Sequence, residues 1–529
     1  MDKLFLGLDL STQGLKATIL DANLKLVYEH AVNFDADLSR FETSGGVHKH
    51  PDGLTVTAPP RMWTAALDLL LDRMRADRAP LDRVAAISGS GQQHGSVWWK
   101  TGARDRLTAL DPARTLEDQL ADAFSLEASP VWMDASTGAQ CAALEQALGG
   151  PQAVADITGS RAFERFTGNQ IAKIYRTQPE RYADTERIGL VSSFAASLLL
   201  GDYAPIDASD GSGMNLLDIR AGDWSPAALE ATAPELAAKL GHPVPSHAVA
   251  GPLHAYFRAR CGFPADCLVI AFSGDNPNSL AGLRLQNTGD IAISMGTSDT
   301  VFGSLADPQP SASEGHIFVN PVQPDAYMAM IVYQNGSLTR EYVRDTWTDG
   351  SWQTYRDLLA TTPPGNAGRV GFYYREPEIT PPVLKTGVYT FGADGQPTDF
   401  TAAQHARAAY EGQFLSMRLH GGNVGLKPDR ILATGGASVD KGLLRVMADV
   451  LGVPVYTAEK ADSASLGAAY RALHGWRCHT AGTLVPYAEV MAPAPAFVKA
   501  MAPDPEAHQT YTTLLPHYAA MEARVVNDR

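Results

Sequence analysis

Apolar segments and short polar turns alternate over the first thirty residues of the chain. Strand-like segments at 3–10, 15–20 and 24–32 are separated by two sequences rich in turn-forming residues, Ser11-Thr12-Gln13-Gly14 and Asp21-Ala22-Asn23. Strands that are joined by such short turns pair with their neighbours in opposite directions. The pattern therefore predicts an antiparallel meander at the start of the first domain.

A similar pattern returns in the second half of the chain. Asp290–Met295 is strand-like, Gly296-Thr297-Ser298 has the composition of a turn, and Thr300 begins another strand-like segment. The identity between the two hairpins is too low for a sequence repeat, but the order of elements predicts a structural one. We place the domain boundary here and predict two domains, residues 1–287 and 288–529.

Helical spacing of apolar positions and short buried segments predict further elements. The predicted helices include 136–148, 188–200, 337–346, 352–360 and 441–451, with a short strand at 131–134. A last helix is predicted from Asp462-Ser463 to Leu473, with Gly475 at its end.

The segment 430–451 combines a strand, the turn Gly435-Gly436-Ala437-Ser438 and a helix. Such a unit lets a flat heterocycle or a phosphate approach the backbone closely. The alternative is a tight strand–helix connection that binds no ligand.

Composition and charge exclude several classes of function. The chain has 529 residues, of which 45% are hydrophobic and 19% are charged, as in soluble globular proteins. A net charge of −15 argues against nucleic acid and anionic membranes as partners, because both require a basic surface. We expect a cytoplasmic protein with free thiols, since the sequence has no secretory leader, no bilayer-spanning apolar stretch and no cysteine pattern typical of metal sites.

Asp275 has the strongest chemical signal in the sequence. The apolar strand 267–272 leads into Ser273-Gly274, which places Asp275 and Asn276 at a strand end and at the start of a predicted helix. A carboxylate at this position can accept a proton from a substrate hydroxyl, which is the task of a general base. The alternative is that Asp275 only caps the helix.

Asp9 ends the first predicted strand and precedes a turn with two hydroxyl side chains and a glycine. Such a turn can wrap a phosphate while Asp9 holds a magnesium ion through water. The alternative is an ordinary polar hairpin.

A glycine-rich segment, residues 89–95, follows another predicted strand and contains Gln93 and His94. It does not have the spacing of a dinucleotide-binding motif, and the chain contains no Gly-Lys pair and hence no Walker A motif. Together with the indole surfaces of Trp98 and Trp99, these amide and imidazole groups suit a polyhydroxylated ligand, which has hydroxyls on its edges and C–H groups on its faces. The alternative is a hydrogen-bonded histidine in the core.

Seven segments, in order along the chain, resemble the FGGY family of carbohydrate kinases, and within it the eukaryotic-type xylulose kinases. These segments are Leu8-Asp9-Leu10-Ser11-Thr12-Gln13, Gly91-Gln92-Gln93-His94-Gly95, Trp132-Met133-Asp134, Glu164-Arg165-Phe166-Thr167-Gly168-Asn169-Gln170, Ser273-Gly274-Asp275-Asn276-Pro277, Ser294-Met295-Gly296-Thr297-Ser298-Asp299-Thr300 and Ala433-Thr434-Gly435-Gly436-Ala437-Ser438.

The resemblance implies an α/β fold with two ribonuclease H-like domains and an interdomain cleft, as in the actin, Hsp70 and sugar kinase superfamily. The first domain would bind the sugar and contribute the first phosphate turn, and the second would bind the nucleotide. The implied reaction is the ATP-dependent phosphorylation of D-xylulose to D-xylulose 5-phosphate, with ATP and Mg²⁺ as cofactors.

The resemblance also assigns roles to single residues. Asp275 matches the base that takes the proton from the C5 hydroxyl of D-xylulose, and Asp9 matches the residue that helps to position magnesium. Besides Asp275, the implied sugar contacts are His94, Arg165, Asn276 and Gln93. The implied nucleotide contacts are Thr12, Gly296, Thr297, Ser298, Trp352, Gly436, Ala437 and Asp440. Asp440 departs from the family pattern, because related enzymes can carry Asn there.

Two other functions remain open at the level of sequence. The acceptor could be another ketose or a polyol, such as ribulose. In a different class, the chain could be an actin- or Hsp70-like binding module driven by ATP, which would leave His94, Arg165 and Asp275 without a task. We expect either a monomer or a homodimer.

Overall fold

The computed structural model describes residues 3–457 and 464–527. Its contacts divide the chain into two compact units. The first comprises Met1–Gln286, Ile317–Ala326 and Asp462–Ala494, and the second comprises Asn287–His316, Tyr327–Ala461 and Pro495–Arg529. The predicted second domain, 288–529, is therefore wrong in one respect, because two of its segments group with the first unit.

The strands are numbered in chain order. They are β1 (Leu4–Leu10), β2 (Gly14–Asp21), β3 (Leu26–Asn33), β4 (His48–Lys49), β5 (Val56–Ala58), β6 (Val84–Gly91), β7 (Ser96–Lys100), β8 (Ser129–Pro130), β9 (Thr185–Leu190), β10 (Leu217–Asp218), β11 (Asp223–Trp224), β12 (Val249–Pro252), β13 (Leu268–Ile270), β14 (Ser273–Gly274), β15 (Asp290–Met295), β16 (Asp299–Leu305), β17 (His316–Val319), β18 (Tyr327–Tyr333), β19 (Val370–Tyr374), β20 (Gly387–Phe391), β21 (Arg430–Thr434), β22 (Val455–Thr457) and β23 (Val498–Met501).

The α-helices are numbered in the same way. They are α1 (Phe34–Asp37), α2 (Pro60–Ala76), α3 (Ala103–Thr108), α4 (Leu116–Gln119), α5 (Gly138–Leu148), α6 (Pro151–Thr158), α7 (Thr167–Thr177), α8 (Pro179–Ala183), α9 (Val191–Leu200), α10 (Ala208–Gly211), α11 (Pro226–Thr232), α12 (Leu236–Leu240), α13 (Ala255–Cys261), α14 (Asp275–Gly282), α15 (Ser337–Trp347), α16 (Trp352–Ala360), α17 (Ala402–Asn423), α18 (Lys441–Leu451), α19 (Ala464–Ala481), α20 (Tyr487–Val490) and α21 (Pro505–Asn527).

The main sheet of the first unit has the strand order β12-β13-β6-β1-β2-β3, and β14 also pairs with β6. β1 and β2 pair antiparallel, as do β2 and β3, which confirms the predicted meander. β1, β13 and β14 all run parallel to β6. The carboxyl ends of β1, β6 and β14 therefore lie at the same edge, where both Leu10 and Gly274 are paired with Gly91.

The sheet of the second unit repeats this arrangement. Its strands follow the order β18-β16-β15-β21-β22-β23. β15 pairs antiparallel with β16 and parallel with β21, and β22 runs parallel to β21. The predicted structural repeat is confirmed, and it brings the turn after β15 next to the turn after β21.

The helix α19 explains why the segment Asp462–Ala494 groups with the first unit. A Cβ atom at Gly7 in β1 would overlap the backbone of Ser465 and Ala469. A Cβ atom at Gly467 would in turn overlap the backbone carbonyl of Asn278 in α14. Glycine allows both close approaches, so α19 packs directly on the sheet and on α14.

Some predicted boundaries are wrong where tertiary packing decides them. Residues 131–134 do not form a strand, because β8 ends at Pro130 and a turn follows. The helix predicted over 188–200 begins only at Val191, since the preceding residues belong to β9.

The last predicted helix continues as α19 to Ala481. Gly475 therefore lies inside the helix and does not end it. A Cβ atom at Gly475 would overlap the side chain of Ile270, so the glycine allows close packing. The predicted start at Asp462-Ser463 lies outside the described residues.

Two expectations about the whole chain can be compared with the structure. Within residues 3–457 and 464–527, no helix has both the length and the apolar character needed to cross a membrane. The four cysteines are buried and form no disulfide.

Candidate active site

Asp275 is the first residue of α14, and Gly274 occupies the N-cap position. The Asp275 Oδ1 atom accepts hydrogen bonds from the backbone N–H of Asn276 at 2.9 Å and from its Nδ2 at 3.0 Å. A capping carboxylate accepts instead from an N–H two or three residues further on. The side chain therefore does not act as the helix cap that the sequence left as an alternative.

The surroundings of Asp275 favour a carboxylate that can take up a proton. The residue is partly accessible, while Gln93 and His94 nearby are buried. Burial, followed by the negative charge of Asp9, raises the pKa of Asp275 to about 7. Asn276 Nδ2 also donates to Gln93 Oε1 at 2.7 Å. This hydrogen bond joins the start of α14 to the turn that follows β6.

His94 follows β6 and has a φ of 67°, which is unusual for a residue with a side chain. Its Nδ1 lies 2.8 Å from the backbone oxygen of Gly213, which can only accept a hydrogen bond. Burial and the positive charge of Arg165 lower the pKa of His94 to about 3. The ring is therefore neutral with the proton on Nδ1, which leaves Nε2 as an acceptor.

The two tryptophans predicted to offer indole surfaces to a ligand lie elsewhere, and a different aromatic ring contacts His94. Trp98 and Trp99 are fully buried in β7, so their predicted contact with a ligand is wrong. The imidazole stacks instead on Phe166, with ring centroids 4.4 Å apart. Successive residues of a strand point to opposite faces, so both faces of β7 are covered by the protein where these two indoles lie.

Arg165 lies just before α7 and is partly buried. Burial lowers the pKa of its guanidinium. The guanidinium lies 6.0 Å from the ring of Phe163, and its charge reaches His94. The structure thus brings Gln93, His94, Arg165, Asp275 and Asn276 together in the first unit.

The turn after β1 contains Thr12, and Trp132 contacts it. The indole Nε1 of Trp132 donates to Thr12 Oγ1 at 2.9 Å, while 39% of the tryptophan surface is exposed. The backbone closes the turn through a 2.9 Å bond from Ser11 N to Gly14 O. Trp132 belongs to one of the matching segments, but no sequence pattern places it beside Thr12.

Asp210 is a second buried carboxyl group that sequence reasoning missed. It lies in the short buried helix α10. Ser192 Oγ donates to Asp210 Oδ2 at 2.5 Å. Burial and the charges of Asp207 and Asp275 raise the pKa of Asp210 to about 8, although the Ser192 hydrogen bond opposes the shift.

The second unit has its own pocket, of about 650 Å³. Six of the predicted nucleotide contacts line it, namely Gly296, Thr297, Trp352, Gly436, Ala437 and Asp440. The pairing of β15 with β21 explains why turns far apart in sequence meet here. Ser298 is not among the lining residues, and its hydroxyl lies 3.4 Å from the Gln334 carbonyl.

A buried ion pair supports the turn after β15. Arg340 Nη1 and Nη2 donate to the two carboxylate oxygens of Asp299 at 2.7 and 3.0 Å, and Nη2 also donates to Gly296 O at 3.3 Å. Both side chains are almost fully buried. The backbone of Ser337 donates to the same carbonyl at 2.8 Å, which fixes the turn from α15 as well.

Asp440 caps α18, since its Oδ1 accepts from the N–H groups of Gly442 and Leu443 at 2.8 and 3.0 Å. The second oxygen lies 3.5 Å from the Tyr410 hydroxyl and 3.7 Å from an Arg356 nitrogen. A carboxylate suits this capping position as well as an amide does. The departure from the family pattern thus keeps the local fold.

Two family models match the chain. Residues 121–282 match the N-terminal domain of the FGGY family of carbohydrate kinases, and residues 291–476 match its C-terminal domain. Asp275 and the predicted sugar contacts His94 and Arg165 lie in the first unit, and the lining of the 650 Å³ pocket lies in the second.

Curated relatives match over almost the whole chain. The xylulose kinase of Mus musculus is 51% identical over 526 residues, covering 99% of this chain and 94% of that protein. Xylulose kinase 2 of Arabidopsis thaliana is 50% identical over 92% of this chain and 89% of its own length. The crystal structure of xylulose kinase from Rhodospirillum rubrum has a TM-score of 0.80 and covers 99% of both chains, with 18% identity.

Proposed function

Because the chain belongs to the FGGY family of carbohydrate kinases, we propose that it phosphorylates D-xylulose with ATP to give D-xylulose 5-phosphate. The observation that carries this proposal is identity of about half of all positions, over almost the full length, with proteins named xylulose kinase. Membership in a kinase family makes the chain a phosphotransferase and leaves the ATP-driven binding module without support.

We assign the role of general base to Asp275. Phosphoryl transfer asks the protein mainly to position the reactants and to stabilise charge. A base is most effective when its pKa lies near the working pH, and burial together with Asp9 raises the pKa of Asp275 to about 7. Asn276 donates two hydrogen bonds to Oδ1 and the Gln93 backbone donates another to the carboxylate, so the group is held in one orientation towards a substrate hydroxyl.

The sugar contacts combine an acceptor, an amide pair and a cation. Neutral His94 offers Nε2 as an acceptor for a sugar hydroxyl. Gln93 and Asn276 are already hydrogen-bonded to each other, which holds both amides in one orientation. Arg165 adds donors with a fixed planar geometry. This set suits a ligand that carries several hydroxyls.

The pocket of the second unit is our proposed nucleotide site. Trp352 provides an aromatic surface, and a Cβ atom at Gly436 would meet no other atom within 4 Å, so a base or phosphate can approach the backbone there. Thr297 and the backbone of Gly296 belong to the turn that would hold phosphate groups. We assign Ser298 to the same turn, although it lies outside the pocket lining.

The donor set fits a magnesium ion at Asp9. The Asp9 charge acts on Asp275, so two carboxyl groups lie close enough to repel each other. No cluster of three or more possible metal ligands occurs in the part of the chain that the structure describes. Mg²⁺ is commonly held by one or two carboxylates, water and substrate phosphates. When bound, the ion would draw charge from the phosphoryl oxygens, and Asp9 would hold it there with Thr12 in the adjacent turn.

A panel of ketoses and polyols tests the choice of acceptor. ADP release is measured with ATP, Mg²⁺ and D-xylulose, D-ribulose, L-ribulose, xylitol or glycerol in turn. We expect kcat/KM to be highest for D-xylulose. A higher value for ribulose or a polyol would assign the chain to another substrate of the same family, and release of ADP that is indifferent to the sugar would remove the kinase function.

A further inference from the structure

Arg471 is buried directly behind the turn that leads into Asp275. It belongs to α19, in the segment that returns to the first unit, and only 1% of its surface is exposed. Its Nη2 donates to the backbone oxygens of Ala271 and Ser246 at 2.9 and 2.8 Å. The first of these bonds holds the backbone three residues before Gly274.

Asn278 carries the contact from Arg471 to the turn itself. Arg471 Nη1 donates to Asn278 Oδ1 at 3.1 Å. The amide group of Asn278 in turn donates to Gly274 O at 2.9 Å and to Gly89 O at 3.2 Å. Asn278 is fully buried and thereby joins α14, β14 and β6 at the point where Asp275 begins the helix.

Asp207 gives Arg471 its counter-charge. Arg471 Nη2 donates to Asp207 Oδ2 at 3.0 Å, and both side chains are at most 1% exposed. The other carboxylate oxygen accepts from Ser209 N at 2.7 Å and from Ser246 Oγ at 2.8 Å. The Arg471–Asp207 pair is thus hydrogen-bonded to backbone and side-chain groups that are far apart in the sequence, at residues 209, 246, 271 and 278.

We propose that Arg471 is a positioning residue for phosphoryl transfer, because its bonds to Asn278 and to the Ala271 carbonyl fix the turn that carries Asp275. This inference rests on the proposed function, in which Asp275 is the base. A buried ion pair often adds little net stability compared with apolar residues of the same size. The guanidinium therefore serves to orient its neighbours. Through Asn278 it holds α14, β14 and β6 in place at the start of the helix that carries Asp275.

The test compares kcat and KM in Arg471→Met, Asn278→Ala and the double variant. We expect kcat with D-xylulose to fall on the order of 10- to 100-fold in each single variant, as small misplacements of a catalytic group do. The KM for ATP should stay within about twofold, since the nucleotide pocket lies in the second unit. Losses at residues that act through one another are not additive, so kcat of the double variant should equal that of the more impaired single variant.

Arg407→Met is the matched control. Arg407 is also a buried arginine, paired with Glu411 at 3.1 Å and bonded to Leu359 O at 2.7 Å, but it lies in α17 of the second unit. We expect this variant to lower the thermal midpoint while kcat per folded molecule stays near that of the wild type. A similar loss of kcat in both arginine variants would show general destabilisation and overturn the proposal.

Further variants keep the outcomes separate. If Arg471→Met does not fold, the Asn278→Asp variant tests the proposal in its place. This variant keeps an acceptor for Arg471 but loses the donor to Gly274 O. A normal kcat in Asn278→Asp would overturn the proposal. Asp275→Asn is measured in parallel. An inactive Asp275→Asn beside a normal Arg471→Met refutes only the positioning role, whereas an active Asp275→Asn refutes the base on which it rests.

Discussion

At the scale of the residue, burial acts on two neighbouring side chains in opposite ways. It keeps His94 neutral, with a pKa lowered to about 3, and it raises the pKa of Asp275 to about 7. Desolvation disfavours the charged form in both cases. The result is an imidazole that accepts a hydrogen bond and a carboxyl group that can exchange a proton near neutral pH.

The neutral imidazole leads to a prediction for His94→Asn. Asparagine tolerates the left-handed backbone of this position, so the fold should be retained. The variant loses the Nε2 acceptor and the stacking on Phe166. We expect the KM for D-xylulose to rise roughly tenfold, the worth of about one hydrogen bond, with the KM for ATP unchanged. Steady-state kinetics check this, and an unchanged KM for the ketose would remove His94 from the sugar site.

Sequence motifs pointed to the side chains of the proposed active site, but not to the residues that support them. Asp275, His94 and Arg165 follow recognisable motifs, and the structure brings them together. Asp210 and Arg471 carry no local signal, because burial and distant contacts alone set their environment.

At the scale of the element, the same arrangement of strands occurs in both units. A hairpin opens each sheet, and a later strand runs parallel to the first strand of that hairpin, so that their carboxyl ends are neighbours. The sequence predicted β21, α16 and α18 with their observed ends, since each has strong periodicity and a clear turn beside it. The junction of β9 and α9 was missed, because one continuous apolar run serves two elements.

Gly435 and Gly436 are adjacent glycines with different roles, the first in the fold and the second in the proposed nucleotide site. Gly435 has a φ of 82°, and a Cβ atom there would overlap the backbone of Met295, so Gly435→Ala should lower the thermal midpoint. Gly436 has open space around it. Gly436→Ala should therefore keep its stability but raise the KM for ATP several-fold.

Both glycine variants are checked by thermal melts and by kinetics at varied ATP. Gly422→Ala is the control, since a Cβ atom there also meets nothing within 4 Å and the position lies at the end of α17, outside the pocket. Its kinetics should equal those of the wild type. An unchanged KM for ATP in Gly436→Ala would contradict the proposed nucleotide site.

At the scale of the whole molecule, the end of the chain completes both units. α19 returns to the first unit, which the sequence could not show because chain order suggested one continuous second domain. α21 packs in the second unit, where His420 of α17 lies 3.0 Å from Glu522 and 3.1 Å from Glu314. These are buried ion pairs.

His420 predicts a loss of stability in alkaline solution. Burial alone would lower its pKa, but hydrogen bonds to Glu314 and Glu522 outweigh that effect and raise the pKa to about 9. The charged imidazole contributes its full stabilisation below pH 6.5, which is the ordinary pKa of histidine in the unfolded chain. This contribution is lost as the pH rises through about 9, the pKa of His420 in the folded protein. The shift corresponds to on the order of 3 kcal/mol.

His420→Gln makes this prediction measurable. Denaturant unfolding at pH 7 should show the variant less stable than the wild type by a few kcal/mol, and the difference should shrink towards pH 10. A difference that stays constant over this range would show that the charge on His420 does not stabilise the second unit.

The most direct test of the central claim is identification of the product formed from ATP, Mg²⁺ and D-xylulose by ³¹P NMR, with the wild type and Asp275→Asn side by side. We predict D-xylulose 5-phosphate from the wild type and a rate lower by about 100-fold or more in the variant, as loss of a general base implies, with ATP binding retained. Phosphorylation of another hydroxyl, or equal rates for the two proteins, would contradict the account.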